Sequence, residues 1–276
     1  MSKYIPYPSF HDDVPIDISF VFESEKPAGK HGYLKISGRD FVFEDGTKVK
    51  FWGTNFNGAC CLPEHDYAKK LAKRLSKIGI NLVRMHQLDA EWHTPNIFAF
   101  TKGKRVTEAH LDSESIDRLD YLIACLKEEG IYICLDTNGG AWNSDIEELL
   151  KQTDLVLLDC KQFNNARHEA LTGRSNEQTL KTAQWLEDNG KPFWLRYVLV
   201  PGISDFEEDI RALGEHFRNF KMLQRVEILP YHTLGKHKYE SLGWEYKLEG
   251  TPSNTPAQLD KAAALFKEYF DCVILN

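Results

Sequence analysis

Strand-like and helix-like segments alternate along most of this chain, and this alternation constrains the fold more than any other sequence feature. Short apolar runs each precede an amphipathic stretch, and several of these stretches end at a glycine. Strict βα alternation predicts a parallel sheet with right-handed crossover connections. We predict six strands, followed by a short last strand at 272–275; the six span residues 51–56, 81–86, 131–137, 154–161, 193–200 and 226–231.

The number of predicted strands selects among the folds that a βα rhythm allows. Six strands are too few to close an eight-stranded barrel, so we predict an α/β fold, an open six-stranded (β/α)6 partial TIM barrel. An open, doubly wound sheet is the alternative. Its dinucleotide-binding form is disfavoured, because Gly53 and Gly58 near the first strand do not make a GxGxxG motif.

The N-terminal residues do not follow the alternation. Residues 1–30 are rich in proline and lack periodicity, so we expect an irregular lead-in before a single barrel domain over 31–276. Within that domain, Asp45 and Gly46 interrupt alternating apolar residues, and both tolerate the positive φ angles of a tight turn. The sequence therefore predicts a β-hairpin over 33–51, at the N-terminal end of the barrel.

Composition excludes several classes of protein. The chain has 276 residues, of which 42% are hydrophobic and 27% charged, as in ordinary globular domains. Its net charge of -7 disfavours nucleic acid as the main partner. The chain has no run of about 18 apolar residues and no signal-like N-terminus, so we expect a cytoplasmic protein without a membrane partner. The six cysteines show the usage of reduced thiols, not of a disulfide framework.

Polar and charged side chains recur at the carboxyl ends of the predicted strands. Catalytic residues of barrel enzymes lie at this end of the sheet. Because side chains alternate along a strand, residues two apart share a face, and this spacing predicts that the strand-end groups converge on one mouth. The groups are Arg84, His86, Asp136, Asp159, Lys161, Arg196 and His232.

The residues alone leave the chemistry of this set open. Asp136 and Asp159 lie on neighbouring predicted strands, where two carboxylates could share a proton, bind a cation or act as an acid/base pair. Lys161 and Arg196 could instead be structural ion-pair partners of these carboxylates. His232 could be an ordinary loop histidine.

Two adjacent cysteines, Cys60 and Cys61, follow the first predicted strand. An iron–sulfur cluster needs three or four thiolates at workable spacing, and an adjacent pair does not supply them. A zinc site formed by this pair with His65 fits no common zinc-ligand spacing. We therefore predict no iron–sulfur ligands in the chain.

The first half of the chain carries three segments that resemble one enzyme family. The segments are KVKFWGTNFNG, AKKLAKRLSKIGINLVRMHQLD and SIDRLDYLIACLKEEGIY, and residues 29–133 as a whole resemble the N-terminal part of glycoside hydrolase family 5, the cellulase-like enzymes. The resemblance implies a substrate-site role for Arg84, with Trp52, His86 and Trp92 as further sugar-site candidates. Both catalytic glutamates of that family are missing, although retaining hydrolysis needs two carboxylates roughly 5 Å apart.

The second half carries five segments, in order, that resemble a different family. The segments are CLDTNG, TDLVLLDCKQ, LTGRSNEQTL, LRYVLVPGISD and EILPYHTLGKHKYESLGWEYKLEG. Over residues 134–275 the chain is similar to the C-terminal half of the pyruvate formate-lyase activating enzymes, a radical S-adenosylmethionine (SAM) family. The resemblance implies an open six-stranded barrel, SAM as a small-molecule ligand and a glycyl-radical enzyme as partner.

The same resemblance implies roles for individual residues. A pocket for SAM or the substrate would contain Asp136, Thr137, Asn138, Lys161, Arg196 and His232. A monovalent cation site would use Asp136, Thr137 and Asp159.

The chain departs from both families. The activating enzymes carry a CxxxCxxC motif after the first strand and a Gly-Gly-Glu segment on the second, and the sequence contains neither. We therefore expect a hybrid or degenerate relative of the activating enzymes, which keeps part of the SAM and cation pocket, has no 4Fe-4S cluster and does not cleave SAM. The alternatives are a carbohydrate-binding relative of glycoside hydrolase family 5 and an engineered barrel chimera.

Overall fold

The chain divides into two compact units. The first contains residues up to Thr137 together with Ala141–Val156, and the second contains Asn138–Gly140 together with the residues from Leu157 onwards. No helix of the described residues is long and apolar enough to cross a membrane. The computed structural model describes residues 16–38, 40–90, 93–98, 100–101, 104–105, 111–233, 236, 243 and 245–275.

Among the described residues, the first element of the first unit is a short 3₁₀ helix, Ser19–Glu25, which lies within the segment expected to be irregular. A second 3₁₀ helix spans Gly58–Cys61. Its strands are β1 (Leu34–Ser37), β2 (Asp40–Phe43), β3 (Lys48–Val49), β4 (Gly53–Asn57), β5 (Leu82–His86), β6 (Phe100–Thr101), β7 (Lys104–Arg105) and β8 (Tyr132–Thr137). Its α-helices are α1 (His65–Lys77), α2 (Ser113–Glu128) and α3 (Ser144–Gln152).

The second unit continues the alternation of strands and helices. Its strands are β9 (Leu155–Asp159, of which Leu155 and Val156 are assigned to the first unit), β10 (Phe193–Leu199), β11 (Leu223–Pro230) and β12 (Val273–Leu275). Its helices are α4 (Asn165–Thr172), α5 (Glu177–Asp188), α6 (Glu207–Phe217) and α7 (Pro256–Lys267).

The predicted hairpin region forms a three-stranded antiparallel sheet in the order β1-β2-β3. β2 and β3 are joined at the predicted turn, where Gly46 has a φ of 86° and the Asp45 carboxylate accepts the backbone N–H of Thr47 at 2.9 Å. The additional strand forms because Leu34–Ser37 also pairs along its whole length with β2. The region is therefore a meander and not a single hairpin.

The meander packs at the amino ends of two strands of the first unit. Phe43 is buried and stacks on Tyr132, the first residue of β8, with ring centroids 5.0 Å apart. Leu34 and Ala28 belong to the same buried cluster, and Leu82, the first residue of β5, packs against it. Apolar side chains thus close this end of the strands, and the carboxyl ends carry the polar groups.

Parallel pairing sets which residues lie beside each other. In the first unit β5 pairs with both β4 and β8, and Arg84 aligns with Asn55 on one side and Cys134 on the other. In the second unit the strand order is β12-β11-β10-β9, and Arg196 aligns with Glu227. Within the described residues the alternation contains seven strands instead of six, because the short last segment pairs in parallel with β11.

Strand β10 shows how the second unit separates its core from its polar face. Phe193, Leu195, Tyr197 and Leu199 are fully buried, whereas the residues between them are partly exposed. Tyr197 packs against Phe266 of α7 with ring centroids 5.5 Å apart. One face of β10 therefore contacts the helices, and the other face is left for the side chains described next.

Candidate functional site

Asp159 ends β9 and accepts hydrogen bonds from two basic side chains. Arg196 Nε donates to its Oδ1 at 2.7 Å, and Lys161 Nζ donates to its Oδ2 at 2.6 Å. A second guanidinium nitrogen of Arg196 lies 2.6 Å from Oδ1. We call these three residues the Asp159 cluster.

The Asp159 cluster is partly shielded from water and carries two positive charges against one negative charge. The Asp159 and Arg196 side chains are 14% and 11% exposed, and the Lys161 side chain is 37% exposed. Arg196 thus neutralises the carboxylate in a poorly hydrated place, while Lys161 keeps contact with solvent. Such a surplus of positive charge favours an anionic group such as a carboxylate.

A second row of charges extends the cluster across β10 and β11. The Arg225 guanidinium lies 3.9 Å from the centre of the Trp194 ring, and its Nη1 is 3.2 Å from the Glu227 carboxylate. Because Arg196 and Glu227 are register partners in a parallel pair, their side chains share this face. Glu227 and Arg225 were not predicted from the sequence; the signal was their alternation with Val226 and Ile228, which are fully buried.

The loop Asn138–Gly140 belongs to the second unit and is fixed to α5. The backbone carbonyls of Asn138 and Gly139 accept the hydroxyls of Thr179 and Thr182 at 2.7 and 2.9 Å. The Asn138 side-chain oxygen accepts the backbone N–H of Gly140 at 2.9 Å. Asn138, which was predicted to line the pocket, is therefore held in a rigid turn by its own side chain and by helix α5.

In the first unit, Arg84 of β5 donates a hydrogen bond to Asp136 near the end of β8. The Asp136 side chain is mostly buried, and the Arg84 Nε atom is buried without a hydrogen-bond partner. Arg84 was predicted as a sugar-site residue and Asp136 as a SAM or cation ligand; the structure pairs them with each other. Thr137 follows Asp136 as the last residue of β8.

The other sugar-site candidates do not assemble around Arg84 among the described residues. His86 ends β5 and aligns with Asn57, the last residue of β4. Trp52 precedes β4, so it lies at the opposite end of that strand from His86, and it is exposed. Trp92 lies outside the described residues.

His232 lies beyond the end of β11 and is exposed. His232 was predicted to converge with the other strand-end groups because residues two apart share a face, and on this strand the residues of the same parity are Ile228 and Pro230. In the structure, however, Ile228 is fully buried, and the face shared with Arg196 carries Glu227. Strand parity therefore does not set the direction of His232, and its place in the pocket stays a prediction.

The thiols offer no obvious set of cluster ligands among the described residues. Cys60 is exposed, but burial raises the pKa of the neighbouring Cys61 thiol to about 12 and that of Cys160 to about 12. Cys125 and Cys134 are also buried. No group of three or more His, Cys, Asp or Glu within the described ranges could hold a metal ion.

Comparisons with known sequences find relatives that share one name, pyruvate formate-lyase activating enzyme. The pyruvate formate-lyase 1-activating enzyme of Escherichia coli (strain K12) is 43% identical over 247 residues, which covers 86% of this chain and 98% of that protein. The pyruvate formate-lyase-activating enzyme of Streptococcus mutans is 44% identical over 161 residues, covering 55% of this chain and 61% of that protein. A family profile described as Radical SAM superfamily matches residues 62–213, more than half of the chain.

Comparisons with solved structures bear on the fold alone. Streptococcus suis SuiB bound to the precursor peptide SuiA superposes with a TM-score of 0.53 at 13% identity, covering 78% of this chain and 42% of SuiB. A glycoside hydrolase family 5 protein from Bacteroides vulgatus covers 91% of this chain and 63% of its own, but its TM-score is 0.41 at 13% identity. The latter likeness is too weak to carry an argument, so neither the hydrolase nor the chimera alternative gains support.

The sequence comparisons overturn two expectations. The prediction of a degenerate relative, inactive in SAM cleavage, is wrong. The alignment with the Escherichia coli enzyme is 43% identical and covers 98% of that protein, and neither this alignment nor the profile match indicates degeneracy. The predicted absence of a 4Fe-4S cluster is wrong on the same findings, because activating enzymes of this superfamily use a cluster together with SAM. The described thiols do not fit a three-cysteine ligand set, so the roles assigned below rest on other residues.

Proposed function

The chain belongs to the radical SAM superfamily, among the relatives of the pyruvate formate-lyase activating enzymes, and from this premise we propose that it binds SAM and activates a glycyl-radical enzyme of the pyruvate formate-lyase type. The observation that carries the proposal is the 43% identity to the Escherichia coli activating enzyme over 98% of that protein. The partner's identity follows from what that relative is named to activate.

The Asp159 cluster supports SAM binding by its charge. SAM carries an α-carboxylate and an α-ammonium group, and both need partners in a pocket shielded from water. We assign Lys161 and Arg196 to the carboxylate and Asp159 to orienting these two cations. The fixed loop at Asn138 supplies backbone and amide groups at the same carboxyl edge of the second unit.

Further assignments belong to this proposal. His232 contacts SAM or the partner polypeptide, and Thr137 lies beside Asp136 as a ligand of a monovalent cation. Asp136 and Asp159 are each ion-paired to an arginine. All six cysteines are free thiols, which supports a cytoplasmic location.

The experiment that tests the function is anaerobic activation of pyruvate formate-lyase. The purified chain, reconstituted with iron and sulfide, is mixed with SAM, a reductant and the Escherichia coli lyase. We expect 5′-deoxyadenosine by chromatography and a glycyl radical signal by electron paramagnetic resonance. Calorimetry should show that Arg196→Lys weakens SAM binding about tenfold, because a single ammonium group cannot both pair with Asp159 as the guanidinium does and offer further N–H groups to the SAM carboxylate. If cluster-loaded protein forms neither 5′-deoxyadenosine nor the glycyl radical, the proposal is overturned.

A further inference from the structure

The second unit has a cleft that the proposed SAM site does not use. It has a volume of about 350 Å³ and is walled by apolar side chains from three segments, among them Leu171, Ile203, Phe206 and Leu248. Two basic residues, Arg167 and Lys247, complete its lining. An apolar cleft with few polar groups has the composition of a binding site.

Arg167 contributes a rigid wall to this cleft and not a free charge. Its guanidinium carbon lies 3.9 Å from the centre of the Phe206 ring. Its nitrogens donate to the buried Asp209 and, at 3.0 Å, to Glu208. Both acids are therefore committed to Arg167, and the wall is ordered before any ligand arrives, which lowers the entropic cost of binding.

The second basic residue of the cleft, Lys247, differs from Arg167 because it has no acidic partner among the described residues. No carboxylate of the described residues lies within ion-pair distance of its ammonium group. The neighbouring Glu249 is engaged by Lys236 at 2.8 Å and is not available. A ligand that fills the apolar cleft and places a carboxylate beside Lys247 would satisfy both features.

The position of the cleft indicates a polypeptide as the occupant. Its three wall segments follow β9, β10 and β11, so the cleft opens at the carboxyl edge of the second unit, where Lys161 also lies. A protein substrate that reaches the Asp159 cluster must pass over this edge. An anchoring contact here would hold the substrate protein without touching the reacting groups.

We propose that this cleft docks an exposed segment of the glycyl-radical enzyme, with one aliphatic or aromatic side chain in the cleft and an adjacent Asp or Glu paired with Lys247. The inference rests on the proposed function, because it takes the partner from there. A buried apolar anchor with a charged rim contact is the usual composition of an interface hot spot. The rim charge should act mainly on the association rate and its salt dependence.

The test compares Lys247→Glu with Lys267→Glu, which makes the same charge change on the exposed end of α7. Binding of immobilised Escherichia coli pyruvate formate-lyase is measured by biolayer interferometry at two salt concentrations, and SAM binding by calorimetry. We expect Lys247→Glu to weaken partner binding about tenfold and to reduce its salt dependence. SAM affinity should be unchanged in both variants. Leu171→Asp, checked for folding by circular dichroism, should weaken the partner as well.

The outcomes separate this inference from the proposed function. If the unmodified chain binds the lyase and Lys247→Glu and Leu171→Asp bind it equally well, the docking site is wrong and the proposed function stands. If the unmodified chain fails both to bind and to activate the lyase, the proposed function fails and the inference falls with it. A dimer of the chain that Lys247→Glu dissociates would also overturn the inference, because a second copy would then be the occupant.

Discussion

At the scale of single residues, the guanidinium of Arg196 and the carboxylate of Asp159 depend on each other. Both side chains are mostly removed from water. The Arg196 guanidinium donates hydrogen bonds to the Asp159 carboxylate, and little water can reach either group to replace the other. A buried pair of this kind contributes little net stability when intact, but removing one partner leaves the other charge poorly compensated. Lys161 reduces the destabilisation that follows from loss of Arg196, since its ammonium group also donates to Asp159.

We expect Arg196→Met to lower the free energy of unfolding by about 3 kcal/mol, because Asp159 would remain buried with one partner. Urea denaturation measures the change. Arg218→Met is the matched control: it removes an arginine from an exposed pair with Glu215, and we expect a loss of less than about 1 kcal/mol. Equal losses in the two variants would contradict the buried pair's role.

His31 gives the first unit a pH-dependent contact. Its Nδ1 lies 2.6 Å from the Asp45 carboxylate, which raises the pKa of His31, as do the Ser24 carbonyl and Glu25, against a smaller opposing effect of burial. A raised folded-state pKa stabilises the protein below the unfolded value of 6.5, and this stabilisation is lost as the pH rises through the folded-state pKa.

We therefore expect His31→Gln to lower the urea midpoint more at pH 5.5 than at pH 8.5. At the higher pH the imidazole of the unmodified protein is neutral, and the two proteins should differ little. His216→Gln serves as the comparison, since burial lowers the pKa of that histidine and its loss should not be more costly at low pH. A midpoint difference for His31→Gln that grows with pH would contradict this expectation.

Residue parity predicted the faces of β10 well and those of β11 poorly. Arg196 shares a face with Trp194, as alternation requires, and the apolar residues between them are buried. On β11 the inward charges are Arg225 and Glu227, whereas the prediction followed Ile228. Alternation gives two possible faces for a strand, and only the neighbouring strand's register decides between them.

At the scale of elements, the loop after β8 depends on a glycine. Gly139 has a φ of 61°, and a β-carbon there would lie 2.9 Å from Leu158 Cδ1 and 3.0 Å from Thr182. Gly190, after α5, has a similar φ of 66°, but a β-carbon added there would meet no atom within 4 Å. An alanine at Gly190 would therefore experience backbone strain alone, whereas an alanine at Gly139 would experience the same strain together with steric crowding.

We expect Gly190→Ala to cost about 1 kcal/mol from the left-handed backbone alone. Gly139→Ala should cost about 1–3 kcal/mol more, because Leu158 and Thr182 must shift as well. Urea denaturation of both variants provides the comparison, and SAM calorimetry on Gly139→Ala reports on the loop. Equal costs would mean that the packing around Gly139 yields freely.

Some elements were predictable from short signals and others were not. The capping box at Thr255 and Gln258 and the cap at Asp112 can be predicted from the sequence, because one side chain and its nearest backbone decide them. Helix α4 cannot be predicted from hydrophobic periodicity, since its apolar residues make no clear stripe, and it ends at Gly173 in a left-handed conformation. Such a helix depends on packing more than on its own sequence.

At the scale of the whole molecule, the boundary between the units does not fall near residue 133, where a change of resemblance was predicted. The Escherichia coli activating enzyme aligns over 86% of the chain, so the comparisons do not support that change. Residues Ala141–Val156 belong to the first unit, although the prediction grouped them with residues 134–276. Asp154 explains this placement, because it accepts the backbone N–H of Ile133 at 2.8 Å and the ammonium of Lys127 at 3.2 Å. Sequence similarity cannot show such a contact, since it compares residues one position at a time.

We expect a fragment of residues 1–156 to keep more structure than a fragment of residues 1–137. The longer fragment retains α3 with the buried Leu150, and it retains Asp154, whose carboxylate accepts the backbone N–H of Ile133 in β8. Far-UV circular dichroism and urea titration should show a cooperative transition for it alone. Asp154→Ala in the longer fragment should broaden or lower that transition. Indistinguishable curves for the two fragments would contradict this prediction.

The unequal environments of the six thiols have a practical consequence. Cys60 is exposed on the 3₁₀ turn after β4, Cys272 is partly covered, and the remaining four are buried. Because the high pKa of Cys61 keeps its sulfur protonated near neutral pH, a maleimide dye or nitroxide will react first at Cys60. A single spectroscopic reporter can therefore be attached beside strand β4 without replacing any cysteine, and changes in its emission or mobility can report the arrival of a protein substrate in real time.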